Sequence, residues 1–249
     1  MKITVLLAGV LDPKWPVAPD DNGLPVRPAG QLALSPFDEA ALEIALKIRD
    51  KASDTEIRAI VGGGEEAIKI ARTVCALNVP DVVTIAHLTL WDQAAVAREL
   101  AQCCLGSDLV LIGREYGDCD DGLVPSMLAR LLGYDYFGRV QALDTGEPPK
   151  LLRENGAFVE QLLLDRPVVA SVTNDRRSRL RKPLMKNVMI ARQAQVGTVG
   201  AVAAQGDTLK LAGVSQMAGS RSAIECTIIE GTLEQQAELL AALLLDDAA

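Results

Sequence analysis

The sequence predicts an α/β fold built on one doubly wound, mostly parallel sheet, and three observations predict it. Short apolar runs bounded by turn residues alternate with longer amphipathic stretches, the order of repeated βα units. Hydrophobic residues make up 49% of the chain and aromatics only 3%, so the core must be Leu, Val, Ile and Ala, the stock of strands buried on both faces. The length of 249 residues suits one large α/β domain, or one such domain with an extension.

The elements follow in order. Residues 3–8 form a first buried strand, and a polar, Pro-rich excursion over residues 9–34 follows it, with Gly23 and Pro25 marking turns. Ser35 then caps a helix that opens on Pro36 and runs to about Asp50; Asp38 returns the capping-box contact, and Leu42, Ala45, Leu46 and Ile48 give it an apolar face. Strands at residues 57–61, 82–86 and 109–112 alternate with helices at 65–77, 92–104 and 123–132. Parallel strands in such a series are joined by right-handed crossovers. The rhythm changes after Tyr134, where residues 151–153 and 158–164 predict a hairpin around an Asn155-Gly156 turn. Residues 168–172 are a further apolar strand, and residues 176–186 are basic and irregular. A final helix spans about residues 233–245, capped by Thr232 with Gln235 three residues on. The domain boundary expected from this order lies at residue 195, with an α/β domain over 1–195 and a C-terminal extension over 196–249.

Charge and cysteine content narrow the function. A formal net charge of −8 argues against a non-specific nucleic-acid or membrane-surface partner, which needs a basic field. The five cysteines, Cys75, Cys103, Cys104, Cys119 and Cys226, form no CxxC pair and no zinc-like spacing. Reduced thiols, and a strand starting directly after Met1-Lys2, point to a cytoplasmic location and to no membrane insertion.

In an open α/β sheet, ligands bind at the carboxyl ends of the strands. Three loops there are candidates. Gly62-Gly63-Gly64 lets backbone approach a base or phosphate, or else serves as a tight βα turn. The loop 113–122 leads into a helix whose free N–H groups and partial positive charge suit an anion. Its aspartates repel phosphate unless used as caps, and capping and turn duty is the preferred reading of Asp118 and Asp120. Ala8-Gly9 beside Ser35-Pro36-Phe37 is the third. His87, the only histidine, ends a strand beside Leu88 and Leu90, a structural setting. Cys119 lacks a second histidine as base, so no catalytic residue and no metal ligand set is assigned.

The order of these motifs resembles the electron-transfer flavoprotein beta subunits. The resemblance is carried by Leu34-Ser35-Pro36-Phe37-Asp38-Glu39-Ala40-Ala41-Leu42-Glu43, by Gly63-Gly64-Glu65-Glu66-Ala67, and by Asp108-Leu109-Val110-Leu111-Ile112-Gly113-Arg114 with Asp118 and Asp120 and then Met127-Leu128-Ala129. Later, Pro167-Val168-Val169, Asn174-Asp175 and Leu184-Met185-Lys186 match in the same order, so the likeness covers roughly residues 1–195. It implies a Rossmann-like, adenine-nucleotide-binding half that pairs with an alpha subunit holding most of the FAD site. It also implies AMP in this subunit, or a second FAD in electron-bifurcating members. By position, Ala8, Ser35 and Gly62 would line the adenosine. The loop from Cys119 to Val124 would hold phosphate, mainly through the backbone N–H groups of Gly122, Leu123 and Val124. Residues 177–185 correspond to the loop that docks a flavin dehydrogenase, with Arg177, Arg179, Leu180, Arg181, Leu184 and Met185 as contacts; the family's anchoring leucine falls at Arg181, or at Leu180 after a one-residue slip. The chain departs from the family at Tyr116-Gly117, where Ala-Ile is usual, at Leu123-Val124, where a polar pair is usual, and at Pro125, where glycine is usual.

The function implied is electron shuttling from a flavin dehydrogenase to a downstream acceptor such as a quinone oxidoreductase. Two alternatives stand beside it: an ATP-binding α/β enzyme or regulatory nucleotide-binding module, and a purely structural subunit with an empty site. The basic cluster of Arg176, Arg177, Arg179, Arg181, Lys182 and Lys186 is either a docking loop steered toward an acidic partner or a solvated charged turn.

Overall fold

The computed structural model describes residues 1–16, 20, 26, 31–87, 90–200, 209, 212–213 and 228–246. Cys226 lies outside them. The chain divides into two compact units, Met1–Gly213 and Val214–Ala249.

The first unit is organised by a sheet whose central strand is β1 (Lys2–Leu11). On one side lie β3 (Glu56–Gly62), β4 (Asp81–Ile85) and the short β11 (Gly197–Val199); on the other lie β5 (Leu109–Gly113), β10 (Val168–Val172) and β6 (Asp135–Val140). All of these pairs are parallel, whereas β2 (Leu32–Leu34) adds antiparallel to the end of β1. The doubly wound parallel fold expected from the sequence is therefore present. The expected boundary at residue 195 falls just before β11, which extends this sheet through Val199.

Alternation along each strand sorts the core into two layers. Ile3, Val5 and Leu7 of β1, with Leu109 and Leu111 of β5, face one side; Leu6 and Ala8, with Val110 and Ile112, face the other. The first face is covered by α1 (Pro36–Lys51) and α2 (Ile68–Cys75), the second by α3 (Gln93–Cys104) and α4 (Val124–Leu132). Leu42, Leu46 and Leu100 are wholly buried, and each such side chain contributes about 1.5–3 kcal/mol by leaving water. The α1 start forms as its residues dictate: Ser35 Oγ accepts from Asp38 N at 3.1 Å, and Pro36 occupies the first turn.

Several elements are shorter than their apolar patterns suggest, or lie outside them. The 65–77 helix is a 3-10 turn, Gly64–Ala67, followed by α2. The stretch after Tyr134 supplies β6 and then β7 (Ala142–Asp144), which pairs with β8 (Lys150–Asn155) and β9 (Phe158–Leu163) in a separate antiparallel sheet. In that hairpin Asn155 still pairs with Phe158, so the turn is centred on Gly156-Ala157, and only Gly156 has positive φ, 62°. That is the pattern of a turn with glycine at its first central position. Arg153 joins the small sheet to the large one: its guanidinium lies 4.5 Å from the Phe137 ring centre, Nη1 donates to Gly138 O at 3.1 Å, and Nε donates to Glu160 at 2.8 Å. The basic stretch ends in a short helix, α5 (Met185–Ala191).

The described part of the second unit holds α6 (Leu233–Asp246). Thr232 and Gln235 cap it reciprocally: Thr232 N donates to Gln235 Oε1 at 3.0 Å and Gln235 N to Thr232 Oγ1 at 3.4 Å. Leu239, Leu240, Leu243 and Leu244 are all exposed. No helix of the described residues is long and apolar enough to cross a membrane.

Candidate functional site

Chain direction reverses about β1: the chain winds outward through β3 and β4, then returns to β5 on the other side. A crevice for ligands forms at the carboxyl ends of strands beside such a reversal. Here the ends of β1 at Ala8-Gly9, of β3 at Gly62-Gly63 and the loop after β5 converge on one pocket, which Cys119, Asp120 and Val124 also line. Of the residues expected to bind a nucleotide, the structure brings Ala8, Gly62, Cys119 and Val124 together there. Ser35 sits at the start of α1, committed to its cap.

The glycines are needed for two different reasons. Gly63 and Gly64 take φ of 120° and 56° to turn the chain sharply out of β3, a conformation that side chains resist. Gly62 has an ordinary φ, but a Cβ there would lie 2.4 Å from the Tyr116 hydroxyl oxygen. The triplet is thus both a tight turn and a place of close approach, the approach being made by a side chain of the protein itself.

Tyr116 is the centre of the site and was not among the expected binding residues. It is buried, and its hydroxyl meets His87 Nε2 at 2.9 Å. The other ring nitrogen of His87, Nδ1, is 2.6 Å from Glu99 Oε2 on α3, and the two side chains are 0% and 1% exposed. The tyrosine and imidazole rings meet edge to face at 5.5 Å. Burial holds the Tyr116 phenol well above its usual range, so it stays a neutral hydroxyl. His87 thus bridges Glu99 and Tyr116, two partners that spacing did not reveal.

Asp120 serves as a cap, whereas Asp118 reaches the end of β1. Asp120 Oδ1 accepts from the backbone N–H groups of Gly122, Leu123 and Val124 at 3.0, 2.8 and 3.2 Å, and Oδ2 from that of Tyr116 at 2.8 Å. The three amides expected to cradle phosphate therefore donate to a carboxylate of the same loop. Asp118 Oδ2 accepts from Leu11 N at 3.1 Å, tying the loop to the end of β1. Among the described residues, no group of three or more His, Cys, Asp and Glu is placed to hold a metal ion.

A buried acid lies behind the crevice. Asp38, 0% exposed, accepts from Ala8 N at 3.2 Å through Oδ2, while Oδ1 has no hydrogen-bond partner. Burial pushes its carboxyl up to about 7, against the downward pull of the Ala8, Ser35 and Gly113 contacts.

The expected docking segment divides by environment. Arg177 is paired with Asp175 and Glu154, and Arg181 with Asp50 and with the buried Glu43, which it grips through Nε at 3.0 Å and Nη2 at 2.9 Å. Leu180 packs partly buried against the core. Arg179, Leu184 and Met185 are exposed, and Met189 and Ile190 on α5 extend the apolar surface.

Sheet order and crevice position define a doubly wound α/β protein with its crevice at the carboxyl ends of the strands. Comparison with known proteins narrows this further. The electron transfer flavoprotein domain matches residues 26–204, and the chain belongs to that family. It is 27% identical over 179 residues to the electron transfer flavoprotein subunit beta of Syntrophomonas wolfei, covering 70% of each protein. It is 26% identical to the subunit beta of Bradyrhizobium diazoefficiens, covering 79% of this chain and 80% of that protein. With the mitochondrial subunit beta of Oryza sativa subsp. japonica the identity is 29%, over 80% of this chain and 81% of that one.

Proposed function

We propose that the chain is the beta subunit of an electron-transfer flavoprotein, working beside an alpha subunit that holds most of the FAD site. In this reading it carries electrons from a flavin dehydrogenase to a downstream acceptor such as a quinone oxidoreductase. The observation that carries the proposal is the family match across residues 26–204, which spans every strand of the parallel sheet except the central strand β1 and includes residues 176–186. FAD, when bound, takes up and passes on the electrons. This chain's own residues scaffold and dock.

The residues divide the docking work between them. Arg177 and Arg181 brace the segment through internal ion pairs. Leu184 and Met185 then offer an uncovered apolar centre, 71% and 75% exposed, with Arg179 exposed nearby in sequence. An apolar anchor with a basic margin suits an acidic dehydrogenase surface, where charge raises the association rate and the apolar contact supplies affinity. The leucines of α6 offer a second surface, suited to the alpha subunit, in an extension counted from residue 196. A cytoplasmic location agrees with the free thiols of Cys75, Cys103, Cys104 and Cys119. AMP, or a second FAD, is the nucleotide that family likeness would put in the crevice of this subunit; the side chains present there do not fit it.

Purification of the tagged chain from its native cells tests the proposal. The expected product is a yellow complex with a second, flavin-bearing subunit, whose flavin is reduced by a dehydrogenase only when this chain is present. A colourless, stable chain that hydrolyses ATP alone would favour the ATP-binding enzyme instead.

A further inference from the structure

We infer that the crevice of this subunit is sealed by its own side chain, Tyr116 standing where the fold takes a base and Asp120 holding the loop that carries it, so that the subunit folds and works with no nucleotide in that site. The inference deepens the beta-subunit reading and rests on it only for the flavin partner used in the assay.

Space is the first argument. Tyr116 turns inward from the loop after β5 and closes on Gly62, with its hydroxyl anchored on His87. Glu99 anchors His87 in turn, so a residue at the end of β4 and one on α3 both hold the ring in place. The space left open to a water-sized sphere in the crevice is about 20 Å³. That is room for about one water, whereas a small-molecule site occupies about 300–1,000 Å³.

Hydrogen bonding is the second argument, and it fixes the loop that carries the ring. Asp120 Oδ1 accepts from the backbone N–H groups of Gly122, Leu123 and Val124, and its Oδ2 accepts from the backbone N–H of Tyr116. The turn that aims the ring at Gly62 is therefore closed on the carboxylate of its own loop, and the ring stays where it is with no ligand to order it.

The test counts nucleotides released from the purified complex on denaturation. FAD is expected at one equivalent per complex and AMP at less than a tenth of an equivalent. A full equivalent of AMP, or a second FAD, would overturn the inference; absence of any flavin would instead count against the beta-subunit reading. A second measurement follows thermal unfolding with added AMP. Wild type and Tyr116→Phe, which keeps the ring, are expected to show no shift. Tyr116→Ala is expected to rise by about 5–10 °C when AMP is in hundredfold excess over its dissociation constant. An equal rise in wild type overturns the inference, and should Tyr116→Ala fail to fold, the nucleotide count still decides.

Discussion

Asp38 shows what one buried carboxyl does to the pH dependence of the whole fold. Its group is raised from 3.8 to about 7 by burial, so the folded chain holds the proton more tightly than the unfolded one. Between about pH 4 and pH 7, unfolding then releases a proton, and this group makes stability fall as pH rises; above about pH 7 its contribution is constant. Asp38→Asn removes the ionisation while keeping an acceptor for Ala8 N. We expect the variant to gain on wild type by on the order of 2–3 kcal/mol between about pH 5 and pH 8. Urea unfolding at several pH values measures this, and parallel stability curves for the two proteins would rule it out. The sequence made Ser35 and Asp38 legible as a helix cap because that contact is local. It could not reveal that Asp38 also reaches Ala8, or that His87 meets Glu99 and Tyr116 at sequence separations of 12 and 29. Such contacts follow from the order of strands in the sheet. The one available signal was Tyr116 itself, a bulky ring in a glycine-rich loop where the family has alanine.

At the scale of elements, the strands and helices with long apolar runs were legible, while those missed were short or at a rim. β2 and β11 have three residues each and no room for a pattern. β6 lies at the sheet edge with Asp135 and Tyr136 exposed, so it lacks the apolar run that marks β5 or β10. The segment proposed for docking was legible as a basic run, but charge alone could not separate residues bound in internal ion pairs from exposed ones. Arg181→Ala strands the buried Glu43 and is expected to cost about 2–3 kcal/mol of stability, toward the low end for a buried pair because Arg181 is partly in water. Leu184→Glu, at an exposed position, is expected to leave stability within about 0.5 kcal/mol while slowing electron uptake from the dehydrogenase at least tenfold. Chemical denaturation beside stopped-flow reduction separates the two. If Leu184→Glu reduces at the wild-type rate, α5 is not the docking surface.

For the whole molecule, the question is how the chain keeps its partner. The exposed leucines at 239, 240, 243 and 244 give α6 an apolar face. Removing the residues after Thr232 is therefore expected to lower the yield of co-purified flavin subunit severalfold. The circular dichroism of the parallel sheet should persist, because every strand of that sheet belongs to the first unit. An unchanged yield would show that α6 does not clasp the partner.

The hold of Arg153 on Gly138 has a consequence for how copies of this protein behave at high concentration. A terminal strand offers unpaired peptide groups to any neighbour able to extend the ladder, and β6 is such a strand. By occupying the Gly138 carbonyl and resting on Phe137, Arg153 withdraws part of that template, so colloidal solubility depends on a residue remote from the crevice and the docking segment.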